Sequence, residues 1–189
     1  MQVYMRLAAG FLLLAGLLLL PIQALYADEF SKRRADVGLK LFRTFVSADL
    51  DIQSKAKNGE VLVILTYAND ERIAKDHQSK LQAAFTKVNN LPVVIRTVNL
   101  EQVLSSKPIQ PAALFVSQPL TSQERDALVL YAIKNSVIIF SPYEGDVEQG
   151  ILAGISVQAR IRPFINMETL KKGKFNIKPF YLKVAKQHE

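Results

Sequence analysis

The sequence predicts an α/β protein: a mostly parallel sheet with helices on both faces, plus an antiparallel edge strand or hairpin and a closing C-terminal helix. Apolar runs rich in β-branched residues, at 61–67 and 137–140, lack the alternation of a half-exposed strand and suit strands covered on both sides. Segments of helical periodicity separate such runs. The resulting β-α-β-α-β-α-β order favours parallel strands joined by right-handed crossovers.

Residues 1–27 have the pattern of a secretory signal peptide, with one arginine followed by a long apolar run that ends at Pro21 and small residues. We expect cleavage after Ala27, which leaves residues 28–189 as a single domain in the periplasm. An uncleaved membrane anchor is the alternative, because the apolar run approaches the roughly 20 residues that span a bilayer. The chain has no cysteine, so disulfides and thiolate chemistry are excluded.

The first two helices are predicted from their apolar stripes. A helix over 28–50 follows from the helical spacing of Val37, Leu41 and Phe45. After the strand at 61–67, Asn69 can cap the second helix. The stripe of this second helix comprises Ile73, His77, Leu81, Phe85 and Val88. A histidine on such an apolar face is more typical of a structural residue with one hydrogen bond than of a metal ligand or a base.

The following elements complete the parallel part of the sheet. Pro92 stands near the start of the next strand, where a missing N–H is tolerated. The predicted order is a strand over 91–98, a short helical connection over 99–104, a strand over 112–116, a helix that starts with the capping box Thr121–Glu124, and a strand over 137–140.

Glycines and prolines change the pattern after residue 142. One or two strands are predicted between 156 and 166, at a sheet edge, because Pro163 cannot donate to a ladder. A short helix over 167–172 then stops at Gly173. The final helix begins at Pro179 and is expected to bury Phe180, Tyr181 and Val184.

Open parallel sheets bind ligands beyond the carboxyl ends of their strands. Polar residues follow the predicted strands at that edge, which makes it a candidate site for a small molecule. Its residues are Asn69, Asp70, Ser117, Gln118, Ser141, Tyr143 and Glu144, with Tyr67 and Asn99 beside them. Ordinary loop and cap chemistry explains the same residue types and remains the competing interpretation.

The motifs of catalysis and cofactor binding are missing from the sequence. No glycine-rich phosphate loop is present, and two histidines 111 positions apart, without cysteine, cannot build a metal cluster. Gly154-Ile-Ser156-Val-Gln158 is one residue short of a nucleophile elbow, and a strand is expected after the serine where a helix is required. We therefore predict no enzyme, no catalytic residue, no metal and no cofactor.

The positive charge is concentrated near the C-terminus. Residues 28–159 hold fifteen Lys/Arg against fifteen Asp/Glu, whereas residues 160–186 hold eight Lys/Arg against one Glu. The candidate interaction patch comprises Arg160, Arg162, Lys171, Lys172 and Lys174. Such a patch suits an acidic protein surface or anionic lipid, and a solvated face is the plainer interpretation. Export and the lack of an aromatic stacking platform argue against nucleic acid.

Three apolar features of the mature chain stand out: Leu41-Phe42 and Phe45-Val46 in the first helix, Phe164-Ile165-Asn166 at the end of the glycine-bearing strand pair, and the closing segment 177–186. In these features, and over residues 37–186, the chain resembles the YfiR family of periplasmic regulators. The resemblance implies a non-enzymatic periplasmic protein that contacts a membrane-bound diguanylate cyclase and so controls cyclic-di-GMP and biofilm formation. The absence of cysteine departs from well-known members, in which cysteines respond to redox state.

Two alternatives stay open beside this reading. The first is a periplasmic small-molecule binding module, related to one lobe of a solute receptor, that uses the strand-end residues. The second is a serine hydrolase with Ser156 as nucleophile, for which His188 is the only histidine downstream. A homodimer is compatible with each of these functions.

Overall fold

The computed structural model describes residues 29–105 and 109–189. The predicted signal segment 1–27 lies outside these residues. The chain divides into two compact units, Met1–Arg34 and Ala35–Glu189. In the first unit, residues 29–34 are helical and Arg33 forms an ion pair of 2.6 Å with Glu29. Among the residues that the structure describes, none of the helices is both long and apolar enough to cross a membrane.

The second unit is an eight-stranded sheet with helices packed against it. Its elements are α1 (residues 35–48 of a helix over 29–48), β1 (Val61–Tyr67), α2 (Glu71–Gln82), β2 (Lys87–Val88), β3 (Leu91–Asn99), α3 (Leu100–Val103), β4 (Ala113–Val116), α4 (Ser122–Asn135), β5 (Ile138–Ser141), β6 (Ala153–Val157), β7 (Ile161–Asn166), α5 (Met167–Lys172), α6 (Pro179–Val184) and β8 (Lys186–His188).

The strand order is β2-β3-β1-β4-β5-β6-β7-β8. Strands β3, β1, β4, β5 and β6 are parallel to one another, β7 is antiparallel to β6, and β8 is parallel to β7. At the other end of the sheet, β2 is antiparallel to β3. The predicted fold class is confirmed, with its mostly parallel sheet, its helices on both faces, its antiparallel pair and its C-terminal helix.

The core lies between α1 and the central strands. The ring of Phe42 on α1 packs 5.5 Å from that of Phe115 on β4 and 5.8 Å from that of Phe140 on β5. Leu114 and Val116 point to the opposite face of β4 and are also fully buried. Because both faces of these strands are covered, their sequences are continuous apolar runs, and these runs predicted the strands.

The start and end of α2 differ from the prediction. Asp70, not Asn69, is the N-cap, and its carboxylate accepts a 2.9 Å hydrogen bond from the backbone N–H of Arg72. The helix ends at Gln82, so Phe85 and Val88 are not on it. Val88 instead belongs to β2, which the sequence did not predict. Ile73 is largely exposed, so the buried stripe is shorter than expected.

His77 is buried on the inner face of α2, as its position on the stripe suggested. Its ring meets the ring of Phe115 edge-on, with centroids 5.6 Å apart. Its Nδ1 is buried and finds no hydrogen-bond partner among the described residues. Burial lowers the pKa of His77, so the ring is neutral near pH 7.

The C-terminal segment corrects three predictions. Helix α6 ends at Val184, and the chain then adds β8 beside β7, so β7 is not an edge strand. Tyr181 is the buried residue of α6, with its ring 5.3 Å from that of Phe45, whereas Phe180 and Val184 face solvent. A helix of six residues has room for one buried side chain per turn, and neighbouring positions point about 100° away.

Candidate functional site

The carboxyl ends of the central strands lie at one edge of the sheet. Tyr67 on β1 pairs with Asn99 on β3, Thr66 with Val116 on β4, and Phe115 with Phe140 on β5. The predicted strand-end residues therefore meet at this edge. Asn69 and Glu144 are exposed, Asp70 and Tyr143 are partly buried, and Ser117, Gln118 and Ser141 are buried.

Gln118 joins two loops of this edge. Its Oε1 accepts hydrogen bonds from the backbone N–H of Asn69 at 3.0 Å and of Asp70 at 3.3 Å. Its amide nitrogen donates to the carbonyl oxygen of Asp70. The side chain is 6% exposed. Because these bonds use both ends of the amide, Gln118 serves the β1–α2 loop and is not presented to a ligand.

Tyr143 and Ser141 also form hydrogen bonds within the chain. The hydroxyl of Tyr143 donates to the carbonyl oxygen of Ser117 at 2.6 Å, and burial, followed by the nearby charge of Asp146, raises the pKa of Tyr143. The hydroxyl of Ser141 donates to Oδ2 of Asp146 at 2.5 Å and accepts from the N–H of Tyr143 at 3.2 Å. Hydrogen bonds within the chain therefore use many of the polar groups at this edge.

A buried charged network lies behind Ser141. Nη1 of Arg125 on α4 is 3.3 Å from Oδ1 of Asp146, and Nη2 donates to Oε1 of Gln149. Burial raises the pKa of Asp146, while the hydrogen bond from Ser141 and the charge of Arg125 oppose the rise. The sequence did not indicate this network. One feature of the sequence could have indicated it: Arg125 precedes Leu128 by three residues, and this spacing places the arginine on the inward face of α4.

This network is unsuited to catalysis. The side chains of Arg125 and Asp146 are 8% and 6% exposed, so the carboxylate is shielded from solutes. Among residues 29–105 and 109–189, no group of three or more His, Asp or Glu side chains could hold a metal ion. The network instead links α4 to the loop between β5 and β6.

Ser156 does not form a nucleophile elbow. It lies within β6, opposite Arg162 on β7, and is followed by a hairpin. Gly154 is required for strand packing, because a Cβ there would lie 2.5 Å from the carbonyl oxygen of Ser141. His188 belongs to β8, where its ring packs edge-on against Phe164, and it makes no hydrogen bond to Ser156 in the described part of the chain. The geometry that a serine nucleophile requires is not present at Ser156.

The β6–β7 hairpin projects past the strand-end edge. Strand β5 pairs with β6 only as far as Ser141 opposite Gly154, whereas β7 pairs with β6 up to Val157. The last three residues of β6 therefore extend roughly 10 Å beyond β5. At the tip, Val157 and Ile161 face each other across the hairpin, and both are exposed, at 42% and 53%.

The five residues of the candidate interaction patch fall into two groups. Arg160 and Arg162 are exposed at the hairpin tip, where β7 begins. Lys171, Lys172 and Lys174 follow the end of β7, in α5 and directly after it, and Lys172 forms a 2.7 Å ion pair with Glu168. Arg162 is separated from the end of β7 by roughly 13 Å of extended strand.

Comparisons with known proteins support the fold. No protein-family model matches the chain. No curated protein matches it either. Among solved structures, the ABC domain from Streptococcus pneumoniae in complex with L-Trp matches with a TM-score of 0.53 and 14% identity. The match covers 79% of this chain and 61% of that one, so the chain spans about three fifths of the length of its structural neighbour. At this identity, what the two chains share is the α/β fold.

Proposed function

We propose that the protein is a non-enzymatic regulator that acts by direct contact with another protein, and that the β6–β7 hairpin makes the contact. The observation that carries this proposal is the exposed pair of Val157 and Ile161 at the hairpin tip, flanked by Arg160 and Arg162. The buried cores of protein interfaces are more apolar than the rest of the surface, and arginine is enriched at interfaces.

The partner and the compartment follow from the resemblance to the YfiR family. On that basis the protein is exported to the periplasm by its N-terminal segment. Its partner is a membrane-anchored signalling protein, a diguanylate cyclase, whose output the contact modulates. The exposed arginines would then face acidic side chains of the partner, where complementary charge speeds association and selects against wrong partners.

Site-specific cross-linking tests this proposal. A photoreactive amino acid is placed at position 161 and, as a control, at position 130, because Leu130 on α4 is also an exposed apolar residue. We expect the probe at 161, and not the one at 130, to capture a membrane-anchored protein in cells. Equal capture from both positions, or adducts between two copies of this chain only, would contradict the proposal; the second result would indicate a homodimer.

A small-molecule binding module at the strand-end edge is the second candidate. It rests on the polar residues at the carboxyl ends of the strands, and the structural neighbour solved with L-Trp shares only the fold. The hydrogen bonds of Gln118 and Tyr143 argue against it, because a ligand would have to displace them. A thermal-shift screen of metabolites decides this point. A ligand whose stabilising effect is lost in Gln118→Ala and retained in Asp126→Asn, an exposed change on α4, would favour the binding module.

A further inference from the structure

A groove of about 450 Å³ lies beside α1, bounded by β2 and α6. It is separate from both the strand-end edge and the hairpin. Three basic side chains line it: Arg43 from α1, Lys87 from β2 and Lys178 at the start of α6. These residues are far apart in the sequence, so no local sequence motif indicated the site. The volume lies within the range of roughly 300–1,000 Å³ that is typical of small-molecule sites.

The charge of the groove is uncompensated. No Asp or Glu lines it, and in the part of the chain that the structure describes none of its three cations forms an ion pair. Lys80, by contrast, bridges Asp36 at 2.8 Å and Asp76 at 2.7 Å on the neighbouring surface. A cluster of like charges without counter-charge attracts anions.

Two of the cations are held in place by backbone carbonyl groups. Nη1 of Arg43 donates to the carbonyl oxygen of Ala84 at 2.8 Å, and Nζ of Lys178 donates to that of Ser47 at 2.9 Å. A guanidinium has five N–H donors and an ammonium three, so both keep donors for a ligand. The Lys87 ammonium makes no hydrogen bond to any described residue and is exposed at the rim.

Phe180 gives the groove an apolar side. Its ring lines the groove and is 77% exposed, although α6 buries its neighbour Tyr181. An exposed aromatic ring beside three cations suits a ligand that has both a charged end and an apolar body.

We propose that this groove binds a small organic anion, a carboxylate or phosphate carried on an apolar ring or chain. Arg43, Lys87 and Lys178 balance the charge of the anion. The apolar body of the ligand packs against Phe180. The site is independent of the hairpin on which the proposed function rests.

Fluorescence titration of the full chain with naphthalene derivatives tests the proposal. The protein has no tryptophan, so naphthalene emission can be followed without an indole background. We expect 1-naphthyl phosphate and 1-naphthoate to bind about tenfold more tightly than the neutral 1-naphthamide, because only the anions meet the three cations. Equal affinity of the amide and the two anions would overturn the proposal.

Two variants assign the binding to this groove. Lys87→Gln should weaken binding of 1-naphthyl phosphate about three- to tenfold, while Lys134→Gln, an exposed lysine on α4, leaves it unchanged. Phe180→Ala should weaken binding about three- to tenfold without lowering the melting temperature, since the ring is 77% exposed in the free protein. Ile161→Asp in the hairpin should bind normally. Unchanged affinity in either Lys87→Gln or Phe180→Ala would overturn the assignment.

Discussion

The hydroxyl of Tyr143 donates a 2.6 Å hydrogen bond to the carbonyl oxygen of Ser117, and this bond ties the loop after β5 to the end of β4. Gln118, the next residue along the chain, ties the same strand end to the loop after β1. Together the two side chains close the edge at which open parallel sheets bind ligands. Polar residues at strand ends are here part of the fold.

These two side chains should therefore contribute to stability. Gln118→Ala leaves the N–H groups of Asn69 and Asp70 without their acceptor and should lower the free energy of unfolding by about 1–3 kcal/mol. Tyr143→Phe should cost about 1 kcal/mol. Urea unfolding measures both, with Glu144→Gln as an exposed control at the same edge. If Gln118→Ala were as stable as the control, these hydrogen bonds would not stabilise the edge.

The buried pair of Arg125 and Asp146 should be costly to break. Asp146→Ala leaves the guanidinium buried without a counter-charge and should lower the free energy of unfolding by about 3–5 kcal/mol. The double variant Arg125→Met with Asp146→Leu should be less destabilising than the two single changes combined, because no unpaired charge remains. Asp126→Asn, on the exposed side of α4, is the control for chemical denaturation. Additive costs would mean that the two groups are not coupled.

Apart from the two-residue strand β2, the order of strands and helices from β1 to β5 was predictable because its signals are local. Continuous apolar runs mark the buried strands, and the capping box of Thr121 and Glu124 marks the start of α4. The antiparallel hairpin was also predicted. Strand β8 was not, because it depends on pairing with β7 and on the contact of the Lys186 ammonium with the Phe164 ring, 4.6 Å from its centroid.

The candidate sites were less predictable than the fold. The strand-end residues were placed correctly at one edge, but their hydrogen-bond partners come from other loops, as for Gln118 and Asn69. The groove beside α1 joins Arg43, Lys87 and Lys178, which only the folded chain brings together. Charge counting found the basic C-terminal region but could not show that β7 divides it into two groups.

Stability should depend on pH through His77. Its pKa is lowered first by burial and then by the charge of Lys80, although Asp76 and Asp36 oppose the shift. The unfolded chain therefore binds a proton at His77 near pH 6.5, whereas the folded chain does not. The free energy of unfolding falls as the pH drops below that value, by at most about 1.4 kcal/mol per pH unit. Urea unfolding between about pH 5 and pH 7.5 should show this loss.

The variant His77→Gln isolates the histidine from other titrating groups. The difference in unfolding free energy between the wild type and this variant should shrink or reverse as the pH falls. His188→Gln serves as the control because that histidine is only partly buried. A difference that is constant with pH would show that His77 titrates alike in the folded and unfolded chains.

The two basic groups should act on different partners. Neutralising Lys171, Lys172 and Lys174 to Gln should weaken sedimentation with vesicles of phosphatidylglycerol and phosphatidylcholine by roughly thirtyfold. Each unpaired lysine near an anionic surface contributes about 1 kcal/mol, whereas Lys172 is already paired with Glu168. Arg160→Gln with Arg162→Gln should leave vesicle binding closer to normal. Vesicle binding that is unaffected by loss of the lysines would make them a solvated face.

The most direct test of the central claim is the level of cyclic-di-GMP in cells that express hairpin variants. We predict that deletion of the gene changes this level and that wild-type protein restores it. Leu130→Asp, a matched change of an exposed apolar residue on α4, should restore it equally, whereas Ile161→Asp should fail although the protein accumulates normally. A level that does not respond to deletion, or that Ile161→Asp restores in full, would contradict regulation through the β6–β7 hairpin.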